Sequence, residues 1–285
     1  MNMFAHLAVG AGRRYLRASP LEFGKWRIER ALSHLLQASS LPPRLAKTRA
    51  GFLIQADLGD FIGRTVYITG EWDPHVGRVL EQRLKPGGVF IDGGANIGYF
   101  TLLASQCVGD EGQVLSFEPN PAAYARLQNN IALNAASNIT ALNVGLGAEA
   151  GTAVLDTGSE GNLGSASLRP GASHGEASIQ IERLDDVVAR RGVGRVSLVK
   201  LDIEGAEYAA LLGMKSLLQR DRPDVVCEVS EWSLEKMGAS REKLMSFMRE
   251  LGYVPTVISK VAVSNLAEGA LYFQFDVLFT HPGRI

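Results

Sequence analysis

Apolar runs and helical stripes alternate along most of this chain, beginning near residue 85. A short apolar run at 89–92 precedes residues 99–107, where Phe100, Leu103 and Cys107 fall at helical spacing. A G-D-E-G turn and a second apolar run at 114–117 follow. Asn120 and Pro121 open a helix with Tyr124, Leu127 and Ile131 on one face, and I-T-A-L-N-V-G-L reads as a third strand. The cycle pauses at 151–181, where T-A-V-L and S-I-Q-I flank a small, polar stretch too long for a tight turn. It resumes with the helix L-D-D-V-V-A-R-R, the strand V-S-L-V-K-L-D, the helix E-Y-A-A-L-L-G-M-K-S-L-L, the strand D-V-V-C-E-V and a helix at 241–251. Units of this length predict an α/β fold: a mostly parallel, doubly wound sheet with helices on both faces. Two closing strands with no helix between them, at 253–259 and F-Q-F-D-V-L-F-T, predict an antiparallel hairpin on that sheet.

The first fifty residues read differently. Leu41-Pro42-Pro43 breaks the chain after a helical segment at 20–40. This predicts a helical N-terminal extension at 1–50 and a main domain at 51–285, with 151–181 as an insertion on the substrate side. Arg13, Arg14 and Arg17 follow the apolar start instead of preceding it, which is the wrong order for a secretory signal, and no stretch reaches the ~20 apolar residues of a membrane span. The basic, apolar face of this segment offers a peripheral membrane contact.

Composition narrows the classes. The 285 residues are 46% hydrophobic, ample for a catalytic core, and Lys+Arg 29 against Asp+Glu 30 leaves no overall positive field to attract nucleic acid. Cys107 and Cys227 lie in apolar segments without metal-ligand spacing, which predicts buried thiols in a reducing, cytoplasmic compartment.

The stretch V-F-I-D-G-G-A-N-I-G-Y-F, residues 89–100, carries the candidate chemistry. Glycine costs chain entropy unless a turn or a close approach requires it. A dinucleotide fingerprint wants Gly at i, i+2 and i+5, and Gly93, Ala95 and Gly98 come near it. Glu118 follows Gly98 by 20 positions at the end of the next strand, where a carboxylate accepts from both hydroxyls of a ribose in nicotinamide and adenosyl ligands alike. Asp92 discriminates between them, because a carboxylate under the loop repels a pyrophosphate and suits a ligand with a cationic amine and sulfonium.

I-D-G-G-A-N-I-G-Y-F-T, S-F-E-P-N-P with a downstream N-N-I-x-L-N, R-L-D-D-V and V-K-L-D-I-E-G-A-E-Y, in that order, resemble the FkbM family of S-adenosylmethionine-dependent methyltransferases over roughly residues 70–280. The resemblance implies a seven-stranded, Rossmann-like class I methyltransferase sheet and an acceptor hydroxyl on a sugar or polyketide-like natural product, a small molecule or glycan. It implies that Asp92, Gly94, Asn96 and Gly98 surround the methionine part of S-adenosylmethionine, that Glu118 holds the ribose, and that Asn120 lies near the same edge. Trp72 falls where the family tends to have a cofactor-side segment. Gly93 departs from the valine often found there.

Asp202 closes a strand, Glu204 follows it, and Glu228 closes the next, so all three acids should meet at the carboxyl rim of a parallel sheet, where ligands bind. Converging acids expect a cation, hydrogen-bond donors or a raised pKa. The sulfonium supplies one positive charge; no His/Asp spacing asks for a metal. Asp202 is the first candidate base for a hydroxyl proton, then Glu204 and Glu228, with His75 and His174 read as loop residues behind them. Glu207 has a structural explanation in the first turn of a helix. A nucleotide-dependent oxidoreductase and a non-catalytic cofactor-binding scaffold are the competing readings.

Overall fold

The computed structural model describes residues 3–19, 24–37, 41–156, 167–169, 177–265 and 270–283. Helices α1 (Met3–Ala18) and α2 (Lys25–Gln37) precede the hairpin β1 (Arg44–Lys47) and β2 (Leu53–Ala56), which straddles residue 50, and helix α3 (Phe61–Thr69). Val9, Leu16, Leu32 and Leu36 bury against Leu58 and Ile68, so the two N-terminal helices share an apolar core with α3. The basic side chains of α1 turn inward. Arg13 donates to the Tyr67 carbonyl at 2.8 Å, and Arg17 donates to Val66, Tyr67, Ile68 and Lys47 carbonyls. Arg49 donates to Thr69. Three guanidinium groups thus occupy the carbonyl end of α3, the negative pole of its dipole. Two of the three arginines expected on a membrane-facing surface, Arg13 and Arg17, are in this way engaged inside the molecule, while Arg14 and Leu7 stay exposed. Among the described residues no helix is long and apolar enough to cross a membrane.

Helix α4 (Pro74–Arg83) begins at an Asp73 cap with Pro74 at its first position, and it leads into the central strand β3 (Val89–Gly93). Then come α5 (Tyr99–Val108), β4 (Gln113–Phe117), α6 (Pro121–Leu133) and β5 (Ile139–Leu142). Asn120 caps α6 by accepting the Ala122 and Ala123 amides. The interruption expected at 151–181 contributes to a small separate sheet: β6 (Gly145–Leu146), β7 (Gly151–Asp156), β8 (Ser167–Arg169) and β9 (Ala177–Glu182), in the order β6-β9-β7-β8. The rest of that stretch, 157–166 and 170–176 with His174, lies outside the described residues.

The alternation resumes with α7 (Leu184–Arg191) and β10 (Leu198–Leu201), then α8 (Glu207–Gly213) and α9 (Lys215–Asp221), which the sequence joins into one helix and the structure divides at Met214. Next are β11 (Asp224–Ser230), α10 (Glu231–Lys236), α11 (Arg241–Glu250), β12 (Val254–Asn265) and β13 (Ala270–Thr280). The main sheet has seven strands in the order β12-β13-β11-β10-β3-β4-β5, parallel except where β13 runs against β11 and β12. This is the mostly parallel, doubly wound sheet with the terminal antiparallel hairpin that the pattern predicted.

Period-two alternation sorts the strand residues between two cores. Ile91, Leu115, Val199 and Val225 pack on one face with α7, α8, α9 and α11, while Phe90, Val114, Leu198 and Val226 pack on the other with α4 and α5. Both cysteines sit in apolar surroundings, Cys227 fully buried and Cys107 half-buried. The Phe90 face matters for function. Two residues beyond Val114, Phe90 and Leu198 come Ser116, Asp92 and Lys200, in direct register with one another and with Val226, and one pleat beyond that row come Glu118, Asp202 and Glu228.

Candidate active site

A cavity of about 260 Å³ opens at the carboxyl ends of β3, β4, β10 and β11, lined by the glycine loop, Glu118, Lys200, Asp202, Glu204, Glu228, Gln274 and an aromatic wall that includes Phe61 and Trp72. All three candidate catalytic acids therefore meet at one rim. Of the candidate cofactor residues, Gly94, Asn96 and Glu118 line the cavity, whereas Asp92, Gly98 and Asn120 stand behind its wall.

The glycines are bare chiefly because other parts of the chain press on them. Gly94 has φ +78°, and a Cβ there would overlap the Asp202 carbonyl oxygen. Gly98 has φ +91°, and a Cβ would stand 2.6 Å from Leu127. The loop is so tightly packed that Gly94 and Gly98 set the approach of β10 and α6 before any ligand is considered. Asn96, itself at φ +49°, donates its amide to Glu118 Oε2 at 2.8 Å, and Asn120 donates its amide to Oε1 at 2.9 Å. Burial pushes Glu118 up to about 7 although both amide bonds pull it down. Its two oxygens clip together the loops after β3 and β4, and each keeps a further lone pair to accept with.

Asp92 is fully buried. Its Oδ2 accepts the Thr101 hydroxyl at 2.6 Å, Thr101 lies 3.0 Å from the Ser116 hydroxyl, and its Oδ1 faces Lys200 Nζ at 3.6 Å. The cation beside it is thus a lysine of the neighbouring strand, placed there by the Lys200–Asp92 register. Lys200 also lies 3.3 Å from Asp202 Oδ2 and 3.4 Å from the Gly94 carbonyl, and over the Phe100 ring at 5.3 Å. Burial works against its charge, yet Asp202 and Asp92 hold its pKa above the ordinary lysine range. Lys200 is the main omission from the sequence-derived site: it supplies both the cation that the converging acids require and a charge partner for Asp202.

Glu204 is presented differently. It sits at φ +55°, a left-handed conformation uncommon for a residue with a side chain. Glu207, buried at the start of α8, accepts the amides of Ile203 at 2.9 Å and Gly205 at 3.2 Å, gripping the chain on both sides of Glu204. Glu207 is thereby structural, as its helix position suggested. Burial, then the Asp202 and Glu207 charges, push Glu204 up to about 8. Glu228 accepts from the Gln274 side-chain amide and pairs in register with Asp276. Burial and then Asp202 drive its pKa well above the carboxylate range. His75 is an exposed residue of α4, not a loop residue, and does not line the cavity.

The asparagines of N-N-I-x-L-N serve the loop from behind. Buried Asn130 donates to the Ile97 carbonyl and accepts the Gln55 amide, both at 2.8 Å, while Asn134 exchanges bonds with the Leu53 amide and carbonyl. Asn130 of α6 and Asn134 at its C-cap therefore act as a partner strand for β2, and Asn130 also anchors the glycine loop.

A family model described as the methyltransferase FkbM domain matches residues 92–255. The chain is 32% identical to methyltransferase sdnD of Sordaria araneosa across 45% of this chain and 61% of that protein. It is 29% identical to the hexuronic acid methyltransferase AglP of Haloferax volcanii across 53% of this chain and 59% of that protein. The chain thus spans about six-tenths of the length of these curated relatives. Among solved structures, methyltransferase FkbM from Methylobacillus flagellatus aligns over 95% of this chain and 59% of that chain, with TM-score 0.42 and 14% identity.

Proposed function

Since the chain belongs to the FkbM family of S-adenosylmethionine-dependent methyltransferases, we propose that it methylates a hydroxyl group of a sugar or natural-product acceptor, with Glu204 as the base. The family assignment sets aside the dinucleotide oxidoreductase reading. The residues present fit the cofactor. Asn120 Nδ2 is a buried donor without a hydrogen-bond partner beside the Glu118 corner, and among the described residues Lys200 is the one buried cation lining the cavity, beside acids whose pKa values burial raises and a bound cation would relieve. Such a site favours a positively charged ligand.

Glu118 and Asn120 would hold the ribose end, and the loop from Gly94 to Asn96 the methionine end. When bound, S-adenosylmethionine supplies a methyl group on a sulfonium, and the departing thioether is neutral. What remains for the protein is alignment, exclusion of water and removal of one proton. Glu204 would take the proton of the acceptor hydroxyl. Asp202, tied to Lys200, is suited to orienting that hydroxyl, and Glu228 with Gln274 to binding a neighbouring one. The observation that carries this assignment is the clamped, left-handed Glu204 facing the cavity with a pKa of about 8, close to where a general base works best.

The test is incubation of the protein and methyl-labelled S-adenosylmethionine with fractionated cell extract, followed by mass spectrometry of labelled products. A labelled methyl ether, stable to alkali, is the expected result. Label released by alkali as from an ester, or found only on nitrogen, would overturn hydroxyl methylation while leaving methyl transfer intact.

A further inference from the structure

Phe61 lines the cavity from a segment that precedes the matched residues 92–255. Its ring meets Trp72 edge to face, with centroids 5.6 Å apart at 88°, and is nonetheless 49% exposed. A large apolar ring left open at a cavity mouth is available to whatever the cavity binds.

The chain leading to Phe61 is fixed to α6 by three rungs. Asn134 Oδ1 accepts the Leu53 amide and Asn130 Oδ1 the Gln55 amide, both at 2.8 Å, and the Asp57 carboxylate pairs with Arg126 at 2.9 Å. Each step of two residues along the strand is matched by a step of four back along the helix. The lengths agree, since two extended residues advance about 6.6 Å and four helical ones about 6 Å. The rungs therefore climb α6 toward its N-terminus, where Asn120 caps the helix and donates its amide to Glu118. Gly63 keeps the start of α3 at the top rung: a Cβ there would stand 2.6 Å from the Asp57 carbonyl oxygen. Asp60 fixes the same turn by accepting the Gly63 amide at 2.8 Å. Phe61, the first residue of α3, is thus held close to the Asp57–Arg126 pair, on the Glu118 side of the cavity.

We infer that Phe61 covers the adenosine half of S-adenosylmethionine, and that Asp57 and Arg126, neither of which lines the cavity, are the positioning pair that sets the ring there. This rests on the assignment of the ribose to Glu118 and Asn120. Adenine is flat and uncharged and suits an aromatic ring, whereas the amino-acid end of the cofactor carries an ammonium and a carboxylate and suits the polar loop. The Asp57–Arg126 pair is only partly buried, so its influence on affinity is a few-fold at most.

Calorimetry on the full chain tests both parts, with S-adenosylhomocysteine and, in competition with it, 5′-methylthioadenosine, which keeps the adenosine and lacks the amino-acid end. Phe61→Ala, at a half-exposed position, should weaken both ligands about 5- to 10-fold, the size of a lost aromatic contact, while Phe61→Tyr should bind both like the parent. Asp57→Asn and Arg126→Met should each weaken them about 2- to 4-fold in the parent and not at all in the Phe61→Ala background, because the pair acts through the ring. A merely structural role would give the same loss in both backgrounds. Unchanged affinity in Phe61→Ala, a loss confined to S-adenosylhomocysteine, or no competition by 5′-methylthioadenosine would overturn the adenosine contact. An Asp57→Asn loss that persists without the ring would overturn the positioning pair. Failure of S-adenosylhomocysteine to bind the parent chain would strike the cofactor reading itself, and full affinity in Glu118→Ala would strike the ribose assignment, both separable from the fate of the ring.

Discussion

Replacing Lys200 with methionine keeps most of the side-chain volume and removes the charge that Asp92 and Asp202 share. Asp202 is partly exposed and can turn to water, so its loss is small. Asp92 cannot, being fully buried with only the Thr101 hydroxyl left to it. A buried charge stripped of its partner costs about 3–5 kcal/mol. Asp92 escapes that cost by taking up a proton, at about 1.4 kcal/mol for each pH unit above its unfolded value near 3.9. Burial already raises its pKa with the lysine in place, and removing the lysine raises it further. A carboxyl whose folded pKa is raised destabilises increasingly as pH rises from the unfolded value toward the folded one. The expected loss is therefore at most about 1.5 kcal/mol at pH 5 and about 4 kcal/mol at pH 7. At roughly 2 °C per kcal/mol for a chain of this size, Tm should fall by about 3 °C and 8 °C respectively. Thermal and urea unfolding followed by circular dichroism from pH 5 to 8 measures this, and Lys200→Met/Asp92→Asn should recover most of the loss at pH 7. A loss that does not grow with pH, or stays below about 1 kcal/mol at pH 7, refutes the claim that Lys200 neutralises a buried carboxylate.

Methyl transfer should rise with pH through about 8 as Glu204 ionises, since a base works only deprotonated; Glu204→Gln should slow the reaction by ~10²-fold or more and abolish that limb, with cofactor affinity retained. Initial rates at saturating cofactor check both, and an unaltered profile in the variant moves the base elsewhere. Gly94→Ala adds a Cβ that overlaps the Asp202 carbonyl at a left-handed φ, so it should lose roughly 2–5 kcal/mol of stability in urea unfolding, not merely ligand affinity. A variant as stable as the parent would return this glycine to a purely ligand-facing role. Asn130→Ala leaves the Gln55 amide and Ile97 carbonyl unpaired, for about 2–4 kcal/mol in all, and amide exchange at Gln55 should accelerate well beyond that at Leu53, which Asn134 still holds.

The frame was legible because its signals are local. D-V-V-C-E-V becomes β11, L-D-D-V-V-A-R-R becomes α7, and the paired closing runs become the β12–β13 hairpin. The convergence of Asp202, Glu204 and Glu228 was legible for a topological reason: acids at the ends of neighbouring parallel strands must share a rim. Lys200 was harder to read, since its meaning lies in a register with Asp92 across 108 positions of chain. The glycine loop was read as bare for a ligand, whereas its neighbours Asp202 and Leu127 already demand the bareness. Arg13 and Arg17 look like a surface charge cluster in one dimension and become a helix cap only once α3 has folded beneath them. In the same way, the asparagines of α6 acquire their role only when β2 arrives alongside.

Helix α3 has nine residues, a rod about 13 Å long. Its last turn is gripped by arginines from α1 and the loop after β1, and its first residue is Phe61, at the mouth of the cavity. A rigid rod held at one end and working at the other is a lever. Drift in α1, far from the carboxyl row, would tilt the ring at the cavity mouth while leaving the strands of the sheet where they are. The shape of the cavity mouth and that of its floor are thus set by different parts of the chain, the first through the fit of a remote helix and the second through the strands of the sheet.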